Sequence, residues 1–276
     1  MTVQIITDTA SDLTPEQAAA ANVTLVPLQV LIGGHNYRDR FELTPAQFYT
    51  RMGQHKDLPK TSQPSPHEMI ETYRAALERG PVVGIHVSSA LSGTFQTAIM
   101  AARSVSEQVR VFDTLNGSGG QALMVLEVAR MAREGASLDE IWHRLEQMRA
   151  ETRTMVALNT LENAVRGGRV SPMAGMAASL LGVKPIVHVT PEGKVEPIDR
   201  VRGRARALDR LLDLAAEKRR DWAGRRVVVA HGNALAEAEA FVQRVKERFQ
   251  PAEVLLQEIG AVIGTYAAEG AVLFSF

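Results

Sequence analysis

Cysteine is absent from the 276-residue chain, and with it go disulfides, thiolate catalysis and zinc–cysteine sites. Net charge is absent too: Lys plus Arg and Asp plus Glu number 31 each, so the overall balance gives no pull towards nucleic acid or an anionic membrane. The longest apolar run, Met173 to Val183, falls far short of a membrane span and ends at Lys184-Pro185. Met1-Thr2-Val3-Gln4 carries no basic leader, and the expectation is a cytoplasmic protein without stable membrane insertion. The seven histidines are scattered, with no HExxH pair, so no metal site is expected. A Walker A lysine motif, a GxSxG elbow and a kinase signature are all missing.

What is present is patterned for an α/β fold. At 45% hydrophobic residues, a chain of this length buries one large core or two modest ones. Up to about residue 152, apolar strand patterns alternate with helix patterns, which argues for a parallel sheet covered by helices on both faces. Val3 to Ile6, Thr24 to Ile32, Pro81 to Val87 and Gln108 to Phe112 read as its strands. A composition change near Thr152 opens a second unit, in which strands such as Thr154 to Leu158, Lys184 to Val189 and Ala271 to Phe274 imply a mixed sheet with helices. The expected domains are therefore 1–152 and 153–276. In a parallel sheet the ligand crevice lies at the carboxyl ends of the strands, where the hydroxyl-rich loops of this chain fall.

Ser88-Ser89-Ala90-Leu91-Ser92-Gly93-Thr94 joins a buried strand to a helix, and hydroxyls at a helix start either cap it or help hold a carboxylate or phosphate. Lys60 to Pro66 is a second hydroxyl loop. There Ser65 with Glu68 fits a capping box, whereas Thr61 and Ser62 have no such local duty and are the better ligand candidates. Asp8 reads as a loop or cap residue rather than a catalytic acid. Gly117-x-Gly119-x-x-Ala122 is a relaxed dinucleotide fingerprint, but no strand ending in an acidic residue follows it, so the glycines read as points of close backbone approach. Gly260 to Tyr266 reads as a glycine-flanked loop able to approach a ligand. Ser171 to Gly182 reads as a small-residue helix whose methionines suit either a core or an adaptable wall around an apolar ligand. Ser92 near His86 or His231 leaves an acyl-ester or phosphate-handling enzyme with a hydroxyl nucleophile as the alternative to a binding protein.

The two hydroxyl loops, with Thr7 to Leu13, Asp113-Thr114, Gly167-Gly168-Arg169, Lys184-Pro185-Ile186 and Ile263-Gly264-Thr265, resemble in content and order the DegV family of bacterial fatty-acid-binding proteins, which includes the FakB-like subunits of fatty acid kinase. The resemblance implies a two-domain α/β architecture with a long-chain fatty acid in a tunnel. Its carboxylate would be held by Thr61 and Ser92, with Ser62 and the Gly93 and Thr94 backbone beside them, and Met173 to Leu181 would line the tail. Arg169 and Arg202 match family arginines that neutralise the head group or dock a partner. That partner would be a separate ATP-binding kinase subunit that converts the bound acid to acyl-phosphate, leaving this chain a carrier rather than an enzyme, with no cofactor beyond its lipid. Where the family has a His after Gly-Thr, this chain has Tyr266, which is expected to contact the head group through its hydroxyl. A phenol with an ordinary pKa of about 10 does not titrate as an imidazole does.

Overall fold

The computed structural model describes residues 2–171 and 182–276. The first half runs β1 (Gln4–Asp8), α1 (Pro15–Ala20), β2 (Val23–Val26), β3 (Gln29–Ile32), β4 (His35–Arg38), α2 (Pro45–Gln54), β5 (Lys60–Ser62), α3 (Pro66–Leu77), β6 (Val82–His86), α4 (Thr94–Val105), β7 (Val109–Asp113), α5 (Ser118–Arg133) and α6 (Leu138–Glu151). Among the described residues the rest runs β8 (Thr154–Ala157), α7 (Glu162–Arg166), β9 (Val183–Val189), β10 (Val195–Arg202), α8 (Arg204–Lys218), β11 (Arg226–His231), α9 (Leu235–Phe249), β12 (Glu253–Glu258), α10 (Ala261–Ala267) and β13 (Val272–Ser275).

Several helix starts are written locally. Thr14, Thr44 and Ser137 each close a capping box, and proline follows the first two. Ser65 accepts from the Glu68 N–H at 3.1 Å, but the Glu68 side chain turns instead to Arg38 at 2.9 Å, so only half of the expected box forms.

Alternation in β1 sets the first layer: Ile5 faces one way and Ile6 the other, and both are buried, so the strand must be covered on both sides. β1 pairs in parallel with β2 and β6, and β6 with β7, in the order β2-β1-β6-β7. Residues of α3 and α4, Met69, Tyr73 and Ala98 among them, cover the Ile6 face. Those of α1, α5 and α6 cover the Ile5 face. The second sheet is mixed, in the order β10-β9-β8-β13-β11-β12, and only its β11–β12 pair is parallel. Phe274 of β13 points to an outer core with α8 and α9, while Leu273 points inward to Leu123 of α5. The expected fold class is the one observed.

The run Thr24 to Ile32 is not one strand. Pro27 has no N–H to give a ladder; β2 stays in the parallel sheet, and β3 turns away to pair with β4 and β5 in a small antiparallel sheet. The β3–β4 turn uses Gly33 and Gly34, both at positive φ, as a tight hairpin requires.

α5 lies between the two large sheets and is apolar on both sides. Gly119 brings its backbone against β11, where an added Cβ would stand 2.7 Å from Val228 Cγ1. Gly119 of the relaxed fingerprint therefore serves helix-to-sheet packing, while Gly117 lines a cavity. Among the described residues no helix is long and apolar enough to cross a membrane, and no group of three His, Cys, Asp or Glu side chains is placed to hold a metal ion.

Replacing Gly119 by Val forces α5 off β11. Gly→non-Gly in a helix interior is worth up to about 1 kcal/mol in propensity, less for a β-branched residue, while overpacking a tight core costs about 1–3 kcal/mol. The second effect wins, and Gly119→Val is expected to lower the urea unfolding midpoint; an unchanged or raised midpoint would contradict this packing.

Candidate functional site

The carboxyl ends of the parallel strands are drawn together by one buried side chain. Asp8 accepts from the Ala10 N–H at 3.0 Å, the Val87 N–H at 3.0 Å and Gln121 Nε2 at 3.2 Å, and is 2.9 Å from His86 Nδ1. His86 Nε2 is 2.8 Å from the Tyr73 hydroxyl. Asp8 is thus structural: it pins the loop after β1, the end of β6 and α5 to one another. Ala10 and Val87, held by that network, line a cavity together with Leu91, Gly117 and Ser118.

The facing wall is the inner side of the second sheet. α5 covers part of that side, and where it does not, Val156, Leu158, Val187, Val189, Val195 and Leu273 are left facing the cavity. Leu28 and Ile263 close it from the small sheet and from α10. The space open to the centre of a water molecule is about 110 Å³, a narrow volume bounded mainly by aliphatic carbon.

Its polar lining converges from four segments. Thr61 Oγ1 and the Tyr266 hydroxyl are 2.6 Å apart, joining β5 to α10. The Arg169 guanidinium lies over the Tyr266 ring at 4.4 Å, and its N–H groups reach Leu91 O at 3.2 Å and Gly167 O at 2.7 Å. Ser92, next to Leu91, has its Oγ 2.9 Å from Thr94 Oγ1 and accepts from the Thr94 N–H at 3.3 Å. The Tyr266 ring packs on Gly167, where a Cβ would stand 2.4 Å from its Cε1. A cation, three hydroxyls and the first turn of α4 are therefore gathered at a space whose remaining lining is aliphatic apart from Ser118 and Thr154. That arrangement suits an anionic head on a long apolar body.

The segment expected as a glycine-flanked loop is the short helix α10. Its cap is supplied from the other half of the chain: Asp12 accepts from the Gly260 N–H at 2.8 Å and Asp39 from the Ala261 N–H at 3.2 Å. Arg40, buried between them, bonds Asp12 at 3.2 Å and Glu258 O at 2.6 Å. Carboxylates satisfy the orphan N–H groups and the dipole of a helix start, and no residue adjacent in sequence signals them. Burial pushes the Asp39 carboxyl up to about 6 against the pull of Arg40, and burial likewise raises Asp12.

Of the residues expected at the site, Thr61, Ser92, Arg169 and Tyr266 line the cavity. Ser62 does not: side chains alternate along β5, so Thr61 faces inward and Ser62 is exposed. Gly93 and Thr94 sit behind Ser92 at the start of α4, with Thr94 buried. Arg202 is exposed at the end of β10 and does not line the cavity. Met173 to Leu181 lie outside the described residues. Sequence reasoning missed the aliphatic wall and the Asp12–Arg40–Asp39 cluster; the wall residues carry a strand signal, but nothing in it says which face is left uncovered.

A family model described as an uncharacterised protein of the DegV family matches residues 2–276. A DegV domain-containing protein of Deinococcus radiodurans is 36% identical over 282 residues, covering 99% of this chain and 97% of the relative. A fatty-acid-binding DegV family protein of Thermus thermophilus, 33% identical, superposes with a TM-score of 0.91 over 100% of this chain and 99% of that one. A stearic-acid-binding protein of Eubacterium ventriosum, 28% identical, does so with a TM-score of 0.88 over 99% and 97%.

Because native Asp39 holds its proton to about pH 6 and the unfolded chain releases it near 4, its ionisation removes stability as pH rises through that window. Asp39→Asn lacks this loss. The stability of wild type relative to Asp39→Asn should fall by about 2–3 kcal/mol between pH 4 and pH 7, measured by denaturant unfolding at both; an equal gap at the two pH values would sink the assignment.

Proposed function

The chain belongs to the DegV family, and on that premise we propose that it is a carrier of one long-chain fatty acid. The tail lies against the inner face of the six-stranded sheet, and the carboxylate is held by Thr61, Ser92 and Tyr266, with Arg169 supplying positive charge. The walls come from the two expected domains, Thr61 and Ser92 from 1–152, Arg169 and Tyr266 from 153–276. The observation that carries this reading is the convergence of those four side chains on one aliphatic cavity. Burying each CH₂ contributes roughly 0.8 kcal/mol, so the tail supplies affinity and the hydroxyls orient the head. The family likeness to fatty-acid-binding and stearic-acid-binding structures supports an acyl chain of that class.

The bound acid is handed to a separate kinase subunit, which phosphorylates the carboxylate from its own ATP. This part rests on the resemblance and on the lack of a phosphate-loop motif in the chain. Arg202, exposed and outside the cavity lining, suits docking of that kinase. Hydrolysis by Ser92 finds less support: its Oγ is engaged with Thr94, while His86 is buried between Asp8 and Tyr73 and His231 Nδ1 accepts from the Ala234 N–H at 3.3 Å. Neither histidine is placed to activate it.

Mass spectrometry of lipid extracted from the purified protein should find stoichiometric fatty acid in wild type and little in Thr61→Ala/Ser92→Ala. Hydrogen bonds to a charged group are worth about 1.5–3 kcal/mol each, so the double variant, losing two, should bind a fluorescent fatty acid about 100-fold more weakly or worse. Unchanged affinity would remove Thr61 and Ser92 from the site. Tyr266→Phe keeps the ring under Arg169 and loses only the hydroxyl; about 10- to 100-fold weaker binding is expected from one lost hydrogen bond to the carboxylate, and equal binding would show that the hydroxyl does not reach the head group.

A further inference from the structure

A second pocket, sharing no lining residue with the acyl cavity, lies where α5 and α6 meet the segment after α8 and the starts of β11 and β12. Five arginines and three glutamates line it, an excess of two positive side chains in one concavity. The glutamates are taken up by particular partners. Glu127 is held by Arg130 at 3.2 Å and Arg144 at 3.4 Å, Glu151 by Arg225 at 3.2 Å, and Glu253 by Arg226 at 2.6 Å.

Arg219 has no carboxylate partner among the described residues. It reaches the Glu151 carbonyl at 3.0 Å and lies 5.9 Å over the Phe276 ring. Burial, then the like charge of Arg225, pulls its guanidinium below the usual range, with Arg153 adding to the repulsion and Glu151 opposing it. The Nε–H groups of Arg219 and Arg225 are both buried with no acceptor among the described residues. Buried donors are ordinarily paired, and guanidinium forks match oxyanions of tetrahedral geometry. Arg219, without a carboxylate and beside Arg225 in a concavity with two excess positive side chains, leaves charge there for an anion to balance.

We propose that this pocket binds a phosphate-bearing anion, with Arg219 and Arg225 donating to its oxygens. Such a ligand would link α5 and α6 to the second sheet at a point on α5 beyond Leu123, whereas Ser118, at the start of the same helix, lines the acyl cavity. The two sites are separate, and this one stands whether or not the chain carries a fatty acid.

Isothermal titration calorimetry of the full chain with inorganic phosphate, glycerol 3-phosphate and ATP, at constant ionic strength set with sodium chloride, tests it. Saturable binding of at least one of these is expected, weakened tenfold or more in Arg219→Gln and in Arg225→Gln and unchanged in Arg206→Gln, an exposed arginine outside the pocket. Inorganic phosphate binding as tightly as the esters would point to the free ion, and tighter binding of an ester to a phosphorylated metabolite. Should both variants misfold by circular dichroism, wild-type protein treated with phenylglyoxal decides: the same anions should protect Arg219 and Arg225 from modification, mapped by peptide mass spectrometry. No saturable heat, equal affinity in the folded variants, or no protection would overturn the proposal.

Discussion

Asp12 and Arg40 meet at 3.2 Å in the interior, and both reach across to the backbone that opens α10. Isolated, such a pair is a poor source of stability, because desolvating two charges offsets most of their attraction. Here the charges also satisfy a helix start that has no side-chain cap of its own. The return is positional. α10 carries Ile263 and Tyr266 to the cavity, and Phe48 and Tyr49 of α2 pack closely on its Gly264. Without the pair, the first turn of α10 would leave N–H groups unpaired inside the protein, and Tyr266 would lose the frame that sets it opposite Thr61.

The cavity divides its labour in the way the physics of amphiphiles suggests. Aliphatic walls are nondirectional and give affinity in proportion to area, whereas hydroxyls and a guanidinium are directional and fix which end of a ligand sits where. Their supports differ accordingly. The wall is the uncovered remainder of a sheet face whose other residues pack on α5. The polar rim is held by bonds between segments distant in sequence: Thr61 to Tyr266, Arg169 to Leu91, and Asn163 Nδ2 to Thr265 O at 3.1 Å. Both depend on α5 being thin at its start, where Gly119 and Gly120 let it lie close against β11 and Thr154.

Much of the local architecture was legible beforehand because it is encoded within a few residues. The alternation of strand and helix patterns, the cap at Ser65 and the paired hydroxyl loops need no knowledge of the rest of the chain. The expectations that failed are those in which a distant group overrides a local signal. Glu68 left its cap for Arg38. Gly260 to Tyr266, read as a glycine-flanked loop, is helical from Ala261, its start satisfied by two carboxylates from the first half. Ser62 looked equivalent to Thr61, and only the pairing of β5 with β3 says which of the two faces inward.

By itself the sequence determined the fold class, the order of the elements and the residue types available for an anionic head group, since these follow from short-range periodicity, capping and motif spacing. The tertiary structure alone decided which of those residues meet. Strand register sends Thr61 in and Ser62 out, and burial of charges from one half at a helix start in the other sets Tyr266 in place. Those outcomes depend on long-range pairing, and no local pattern carries them.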